Sequence, residues 1–213
     1  MKNILTMLLA LCISATNLQA QELITVNPAG NNLLNFYLNM NVENLWIAGH
    51  HIDWVTGLPD RPNAEAGIKT HCSAFVAAVC KNKSIYILRP PEHSQILLAN
   101  AQFQWLTTPA AQSMGWHQII NTSINKTYFA AQQYANNGYV VVAVCQNLNP
   151  HKSGHIALIR PTEISTQQLT DEGPTVTMAS TKNTNLISLK LGFKSHIKEW
   201  PEPAILFFYN QSR

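Results

Sequence analysis

Thr70-His71-Cys72-Ser73-Ala74-Phe75-Val76 sets a cysteine at the start of a helix, directly after a loop. The loop is Gly57–Gly67, with two Pro, two Gly and several polar residues, the composition of a turn-rich connection. The helix is predicted over Cys72–Lys81. Ala74, Ala77 and Ala78 have high helix propensity, and Phe75, Val76, Val79 and Cys80 form one apolar stripe. Working outward, Asn32–Trp46 reads as a helix, because Leu33, Leu34, Tyr37, Leu38 and Leu45 recur near helical spacing. Pro90-Pro91 blocks helix and strand alike, and Glu92–Leu106 resumes as an amphipathic helix. Lys126–Asn137 is a helix ended by Gly138. Val- and Ile-rich strands follow at Tyr139–Cys145 and His155–Arg160, with shorter runs at Thr175–Ala179, Leu186–Leu191 and Ala204–Tyr209. Helices lead and strands follow, which predicts an α+β domain with an antiparallel sheet.

Composition narrows the function classes. Lys and Arg number 14 and Asp and Glu 11, so 12 % of the chain is charged, half of the ~25 % usual in soluble domains. Asn and Gln together number 34, so neutral amides carry most of the polarity. A formal charge of +3 excludes a nucleic-acid binder that works by phosphate neutralisation. It also speaks against an acidic disordered tail or a charge-laced coiled coil.

Met1–Ala20 has the layout of a secretory signal peptide. Lys2 gives a positive start, Ile4–Ile13 an apolar run, and Leu18-Gln19-Ala20 a small-residue cleavage site. The apolar run is too short to span a membrane, which takes about 20 residues, and no later run reaches that length. Cys12 has no lipobox after it. The chain is therefore divided into a leader, 1–20, and a single domain, 21–213, with 21–68 as its helical N-terminal part. An exported protein of bacterial type, periplasmic or secreted, is expected. Cys72, Cys80 and Cys145 remain after cleavage, and an odd number leaves at least one thiol unpaired. Cys80 and Cys145 are either bridged or free. No CxxC pair exists, which removes zinc-ribbon and thioredoxin readings.

Two segments carry chemistry. At a helix start, unpaired N–H groups and the dipole favour an anion, so a lowered thiol pKa is expected for Cys72. In Ser153-Gly154-His155-Ile156-Ala157-Leu158-Ile159 a histidine opens a buried strand, after a glycine that lets another backbone come close. A helix-borne Cys facing a strand-borne His supplies a nucleophile and a general base, and the imidazolium then protonates an amine leaving group. Each segment alone reads equally as core.

The order of Cys72-Ser73-Ala74-Phe75-Val76 and then Gly154-His155-Ile156-Ala157-Leu158-Ile159-Arg160-Pro161 resembles the papain-like cell-wall hydrolases of the NlpC and CHAP superfamily. The resemblance covers Cys72 to about Ala179, roughly half of the chain after its leader. It implies a nucleophile helix packed on an antiparallel sheet that carries the His, and cleavage of amide bonds in peptidoglycan peptides. Carried over by position, Cys72 is the nucleophile, His155 the general base and acid, and the Cys72 backbone N–H an oxyanion donor. Two positions depart from the pattern. The slot for the third, orienting residue falls on Met178, whose thioether is a poor acceptor. Thr177, Asn183, Asn185 or a backbone carbonyl would have to substitute, or the enzyme is weak. His71 stands where such proteins often have Asp or Asn.

Upstream, Gly49-His50-His51-Ile52-Asp53-Trp54 falls where relatives line their cleft. Asp53 and Trp54 are therefore cleft candidates beside His71; in the plainer reading Asp53 caps a turn and Trp54 is core. His50 and His51 lack helical metal spacing, so no metal and no cofactor are expected. Arg89 and Arg160 each precede Pro at a strand end and would suit a substrate carboxylate, with a solvated strand end as the default. Three functions fit: an exported cysteine amidase or endopeptidase, a weak or inactive wall-peptide-binding module, or a thiol acyltransferase or deamidase on the same scaffold. The expected partner is a peptidoglycan peptide or other peptide, with no nucleic acid and an open oligomeric state. A low-charge cleft of amides, hydroxyls and aromatics is the expected recognition surface.

Overall fold

The computed structural model describes residues 22–61, 69–202 and 204–212. The expected leader and residues 62–68, which include the second half of the Gly57–Gly67 loop, lie outside them. The chain begins with β1 (Leu23–Ile24) and α1 (Pro28–Asn39). Asn27 starts α1 by accepting the Gly30 N–H at 2.8 Å, and Pro28 follows at a position that needs no N–H. The helix starts and stops earlier than the hydrophobic period over Asn32–Trp46 predicts. Asn41 and Trp46 both adopt φ 54°, a left-handed backbone that a helix cannot absorb.

Next come α2 (Cys72–Asn82), α3 (Leu98–Leu106), α4 (Pro109–Ser113), β2 (Trp116–Gln118) and α5 (Ile124–Asn136). The Cys72 helix begins where expected and runs one residue further. Of the span Glu92–Leu106 only the second part is α3, because Leu97 turns left-handed at φ 54° just before it. Gly138 closes α5 with φ 89°, a conformation that glycine adopts without a Cβ clash. Then follow β3 (Val141–Cys145), β4 (His155–Ile159), β5 (Ile164–Ser165), α6 (Thr166–Glu172), β6 (Thr175–Met178), β7 (Thr184–Ser188), α7 (Leu189–Gly192) and β8 (Leu206–Asn210). The run Leu186–Leu191 is divided: the Ser188 hydroxyl accepts the Leu191 N–H at 3.4 Å and caps α7.

Six strands form one sheet in the order β2-β8-β3-β4-β6-β7, every pair antiparallel, and β1 pairs separately with β5. The α+β class with an antiparallel sheet is therefore what the chain adopts. The sheet is covered on both faces, which is why β3 and β4 read as unbroken apolar runs instead of alternating ones. Val142, Val144, Ile156, Leu158 and Phe208 face one core with α2. Val141, Ala143, Ala157, Ile159, Val176 and Phe207 face the other with α5, α6 and α7. Residues 72–80 of α2 are buried on all sides rather than along one stripe. Burying Phe75, Val76 and Val79 contributes about 1.5–3 kcal/mol each, so α2 is held by packing, with the Phe75 ring edge-on to Trp46 at 5.1 Å.

Candidate active site

Cys72 is the first residue of α2, and His71 takes the capping position without a side-chain cap. The first helical hydrogen bond runs from the Phe75 N–H to the His71 carbonyl, 2.9 Å. The N–H groups of Ile156, Ser73 and Cys72 itself, and the Ser73 hydroxyl, lie on the side of the Cys72 sulfur. All of these favour the thiolate. Burial outweighs them: at 3 % exposure the thiol is pushed above its ordinary range. This corrects the lowered pKa expected from the helix start alone, because desolvation costs the anion more than the donors return. Cys80 and Cys145 are pushed up to about 12 by burial. All three thiols are free, so the Cys80–Cys145 bridge is not formed; the two sulfurs lie in the cores on opposite faces of the sheet.

His155 opens β4, opposite Cys145 in the β3–β4 register. Gly154 precedes it for the reason expected: a Cβ there would lie 2.1 Å from the Cys145 carbonyl oxygen and 2.7 Å from Asn100 Oδ1. Asn100, on α3, takes the Gly154 N–H at 2.8 Å and the Asn147 N–H at 3.0 Å, and donates to the Lys152 carbonyl at 2.9 Å. One buried amide thus fixes the loop that delivers His155. The residue pattern carried no signal for that role, because an amide within a helix reads as surface.

The His155 ring is 2 % exposed. Its Nε2 meets Met178 Sδ at 3.3 Å, the Phe193 ring stands edge-on at 4.7 Å, and the His196 ring stacks at 5.1 Å, 12° from parallel. Burial, aided by the charge His196 would carry, holds the imidazole down at about 3, so it is neutral at physiological pH. Among the described residues no hydrogen bond joins this ring to the Cys72 thiol. Helix and strand do bring the two together in another sense, since the backbone N–H of Ile156, the residue after His155, is close enough to favour the Cys72 thiolate.

Met178 therefore occupies the place from which a third residue would orient His155. Its substitutes do not reach the ring. Thr177 is on the opposite face of β6 and donates to the Asn185 carbonyl at 2.8 Å. Asn183 donates to the Val42, Leu45 and Trp46 carbonyls at 2.8, 2.7 and 3.3 Å and accepts the Ser180 N–H at 2.8 Å. It clamps a turn. His196 and Phe193 touch His155 without having been singled out in the sequence.

A cleft of about 680 Å³ opens at the α2 N-terminus, between His71 and Ser73 on one side, Gln95 and Leu97 on another, and His151 and Ser153. His71 lines it, with Nε2 2.8 Å from the His50 carbonyl. A carbonyl only accepts, so the proton is on Nε2 and the Nδ1 lone pair is left. Burial lowers the His71 pKa, the His50 bond opposing it. Asp53 and Trp54 are not in the lining. Asp53 Oδ1 caps a turn, accepting the Val55 and Thr56 N–H groups at 3.1 and 2.8 Å. Trp54 packs on the core, with Lys81 Nζ 5.3 Å above its ring. Arg89 lies over Tyr86 at 5.0 Å, and Arg160 bonds Thr162 at 3.0 Å; neither lines the cleft. Among the described residues Gln95 is the single amide in the lining; the expected hydroxyls are there, with imidazoles and cations in place of the other amides and the aromatics. A shallower hollow of about 410 Å³ beside Glu43 and Asn183 contains neither thiol nor imidazole. Among the described residues no group of three or more His, Cys, Asp or Glu could hold a metal ion, and no helix is long and apolar enough to cross a membrane.

No family model, curated protein or solved structure matches this chain.

Proposed function

We propose that the protein is an exported, papain-like cysteine amidase or endopeptidase of the NlpC and CHAP type, acting on amide bonds of peptidoglycan peptides. The observation that carries the reading is Cys72 at the first turn of α2, packed toward the β4 start that carries His155, with its chain neighbours His71 and Ser73 lining a peptide-sized cleft. The buried pair rests as neutral thiol and neutral imidazole. With Nε2 turned to Met178, Nδ1 is the nitrogen that must take the thiol proton. Side-chain rotation on substrate binding has to join the two groups, and resting sites are commonly looser than loaded ones. Sulfur then bonds to the carbonyl carbon, and the oxyanion faces the Cys72 backbone N–H. The imidazolium returns the proton to the departing amine, and water, deprotonated by the same ring, releases the acid and restores the thiol.

Mass analysis of fragments from purified cell walls tests this. Wild type releases peptides and Cys72→Ala releases none; equal release by both overturns the reading. A second reading is favoured by one observation, the Met178 thioether where a polar partner would orient His155. In it the chain binds wall peptides without cleaving them. Retention on walls by both proteins with no fragments from either selects that reading.

A further inference from the structure

Strand alternation decides which way the His155 ring looks. On β4, Ile156 and Leu158 face the core of α2, and Ala157 and Ile159 face the opposite one. The His155 ring belongs with the second pair, because its neighbours Met178 and Phe193 both pack in that core. Cys72 packs in the first. The imidazole must therefore leave its resting neighbours before it can meet the thiol. Met178 is 5 % exposed and Phe193 is fully buried, so neither has room to move. His196 is placed differently. It is half-buried in the turn after α7. Among the described residues its only side-chain hydrogen bond is local, with Ser195 Oγ 3.0 Å from Nδ1. Its ring nevertheless stacks on the His155 ring at 5.1 Å, 12° from parallel.

We propose that His196 is a positioning residue: by stacking on His155 it parks the imidazole against Met178, and its withdrawal frees the ring for Cys72. The role deepens the hydrolase reading and rests on it, since parking matters only to a base that serves the thiol. The stack is the one resting contact of His155 that can open without disturbing either core, because its partner stands on a surface turn. Attraction between two stacked rings is modest. A bound peptide that displaces the turn can therefore shift the imidazole from the parked to the engaged position.

Alkylation of the full chain at neutral pH, read by peptide mass mapping, tests the role without any substrate. His196→Ala removes the stacked ring from a half-buried turn. Iodoacetamide should then modify Cys72 about tenfold faster than in wild type, because an engaged imidazole raises the thiolate share. Adding His155→Gln to His196→Ala should return the rate to that of wild type, which a mere opening of the site would not do. His196→Phe keeps a ring in the stack and should stay near the wild-type rate. Cys80 and Cys145 should remain unmodified throughout. An unchanged rate in His196→Ala, a gain that survives His155→Gln, an equal gain in His196→Phe, or a gain shared by Cys80 or Cys145 overturns the proposal. Faster alkylation that needs His155, with no wall cleavage by any variant, keeps the parked imidazole and removes the wall hydrolase. Cleavage of walls by wild type with alkylation unmoved by His196→Ala does the reverse.

Discussion

Met178 stands where an acceptor would fix the His155 tautomer, and a thioether does this poorly. Replacing it by an amide supplies an oxygen to Nε2 and stabilises the imidazolium. Met178→Gln should therefore raise the His155 pKa above about 3 and, where wall cleavage is measurable, raise kcat by about tenfold. Proton NMR titration of the ring reads the first effect without any substrate, and an unmoved titration refutes it. Cys72 gives a second residue-level expectation. Because burial pushes its thiol up, alkylation by iodoacetamide should keep accelerating above pH 9. A plateau below pH 8 would mean a resting ion pair instead. The buried His155 also links stability to pH. Its folded pKa of about 3 lies below the ordinary 6.5, so the unfolded chain binds the extra proton between these values. Stability is complete above 6.5 and falls as pH drops toward 3, by at most about 1.4 kcal/mol per pH unit for this one group. His71 and His196 are shifted in the same direction and add to the fall. Urea unfolding at neutral and mildly acidic pH should show a smaller loss for His155→Gln than for wild type; equal losses would contradict the burial of the ring.

At the scale of elements, the hairpin of β3 and β4 positions the site, and it depends on a contact without room. A methyl at position 154 meets the Cys145 carbonyl at 2.1 Å, so Gly154→Ala should cost about 3 kcal/mol by forcing the strands apart. Thermal unfolding reads this, and a loss below about 1 kcal/mol would show that the hairpin yields easily. Removing the Asn100 amide, which serves Asn147, Lys152 and Gly154, should loosen the same loop. The glycine was legible because a strand start after Gly signals close backbone approach. The Cys72 helix was legible through its alanines and the loop before it, and β3 and β4 through their Val and Ile runs. Element ends were less so: a left-handed Leu97 truncates α3 and a left-handed Trp46 belongs to a turn, and neither residue type announces that conformation. β2, with Trp116 paired to Asn210, is too short to show a period of its own. The partners of His155 were legible only in part. Met178 follows from its place on β6, whereas His196 and Phe193 arrive from the segment after α7, which no local pattern ties to the ring.

Across the whole molecule, the scarcity of charge acquires a structural cause. Buried amides do here what ion pairs and caps do elsewhere: they satisfy backbone groups where chain segments meet. Asn136, 1 % exposed at the end of α5, is the densest case. It donates to the Ile24, Thr25 and Thr162 carbonyls at 3.4, 3.2 and 2.9 Å and accepts the Thr162 N–H and Gln132 Nε2, both at 2.9 Å. Its own carbonyl takes the Asn27 N–H at 3.1 Å. The N-terminal segment, α5 and the β4–β5 connection thus converge on one side chain. Amide counts in a sequence do not tell clamps from surface, which is why the cleft expected to hold amides, hydroxyls and aromatics shows, among its described residues, hydroxyls and one amide beside imidazoles and cations. The clamp is tested by changing its charge and little else. Asn136→Asp keeps the shape but turns an oxygen toward carbonyls that accept and cannot donate. Ionised, that carboxylate is buried against like dipoles; protonated, it can still donate one hydrogen bond. Its folded pKa is therefore raised above the ordinary ~3.9, and the folded state holds the proton that the unfolded chain gives up. Stability is best retained below that value and lost as pH rises through the neutral range. Asn136→Asp should be destabilised relative to wild type by about 3 kcal/mol or more at pH 8 and by clearly less at pH 5. Denaturant midpoints at the two pH values decide it: a deficit that is equal at both, or larger at pH 5, would mean that Asn136 does not donate to buried carbonyls as a clamp must.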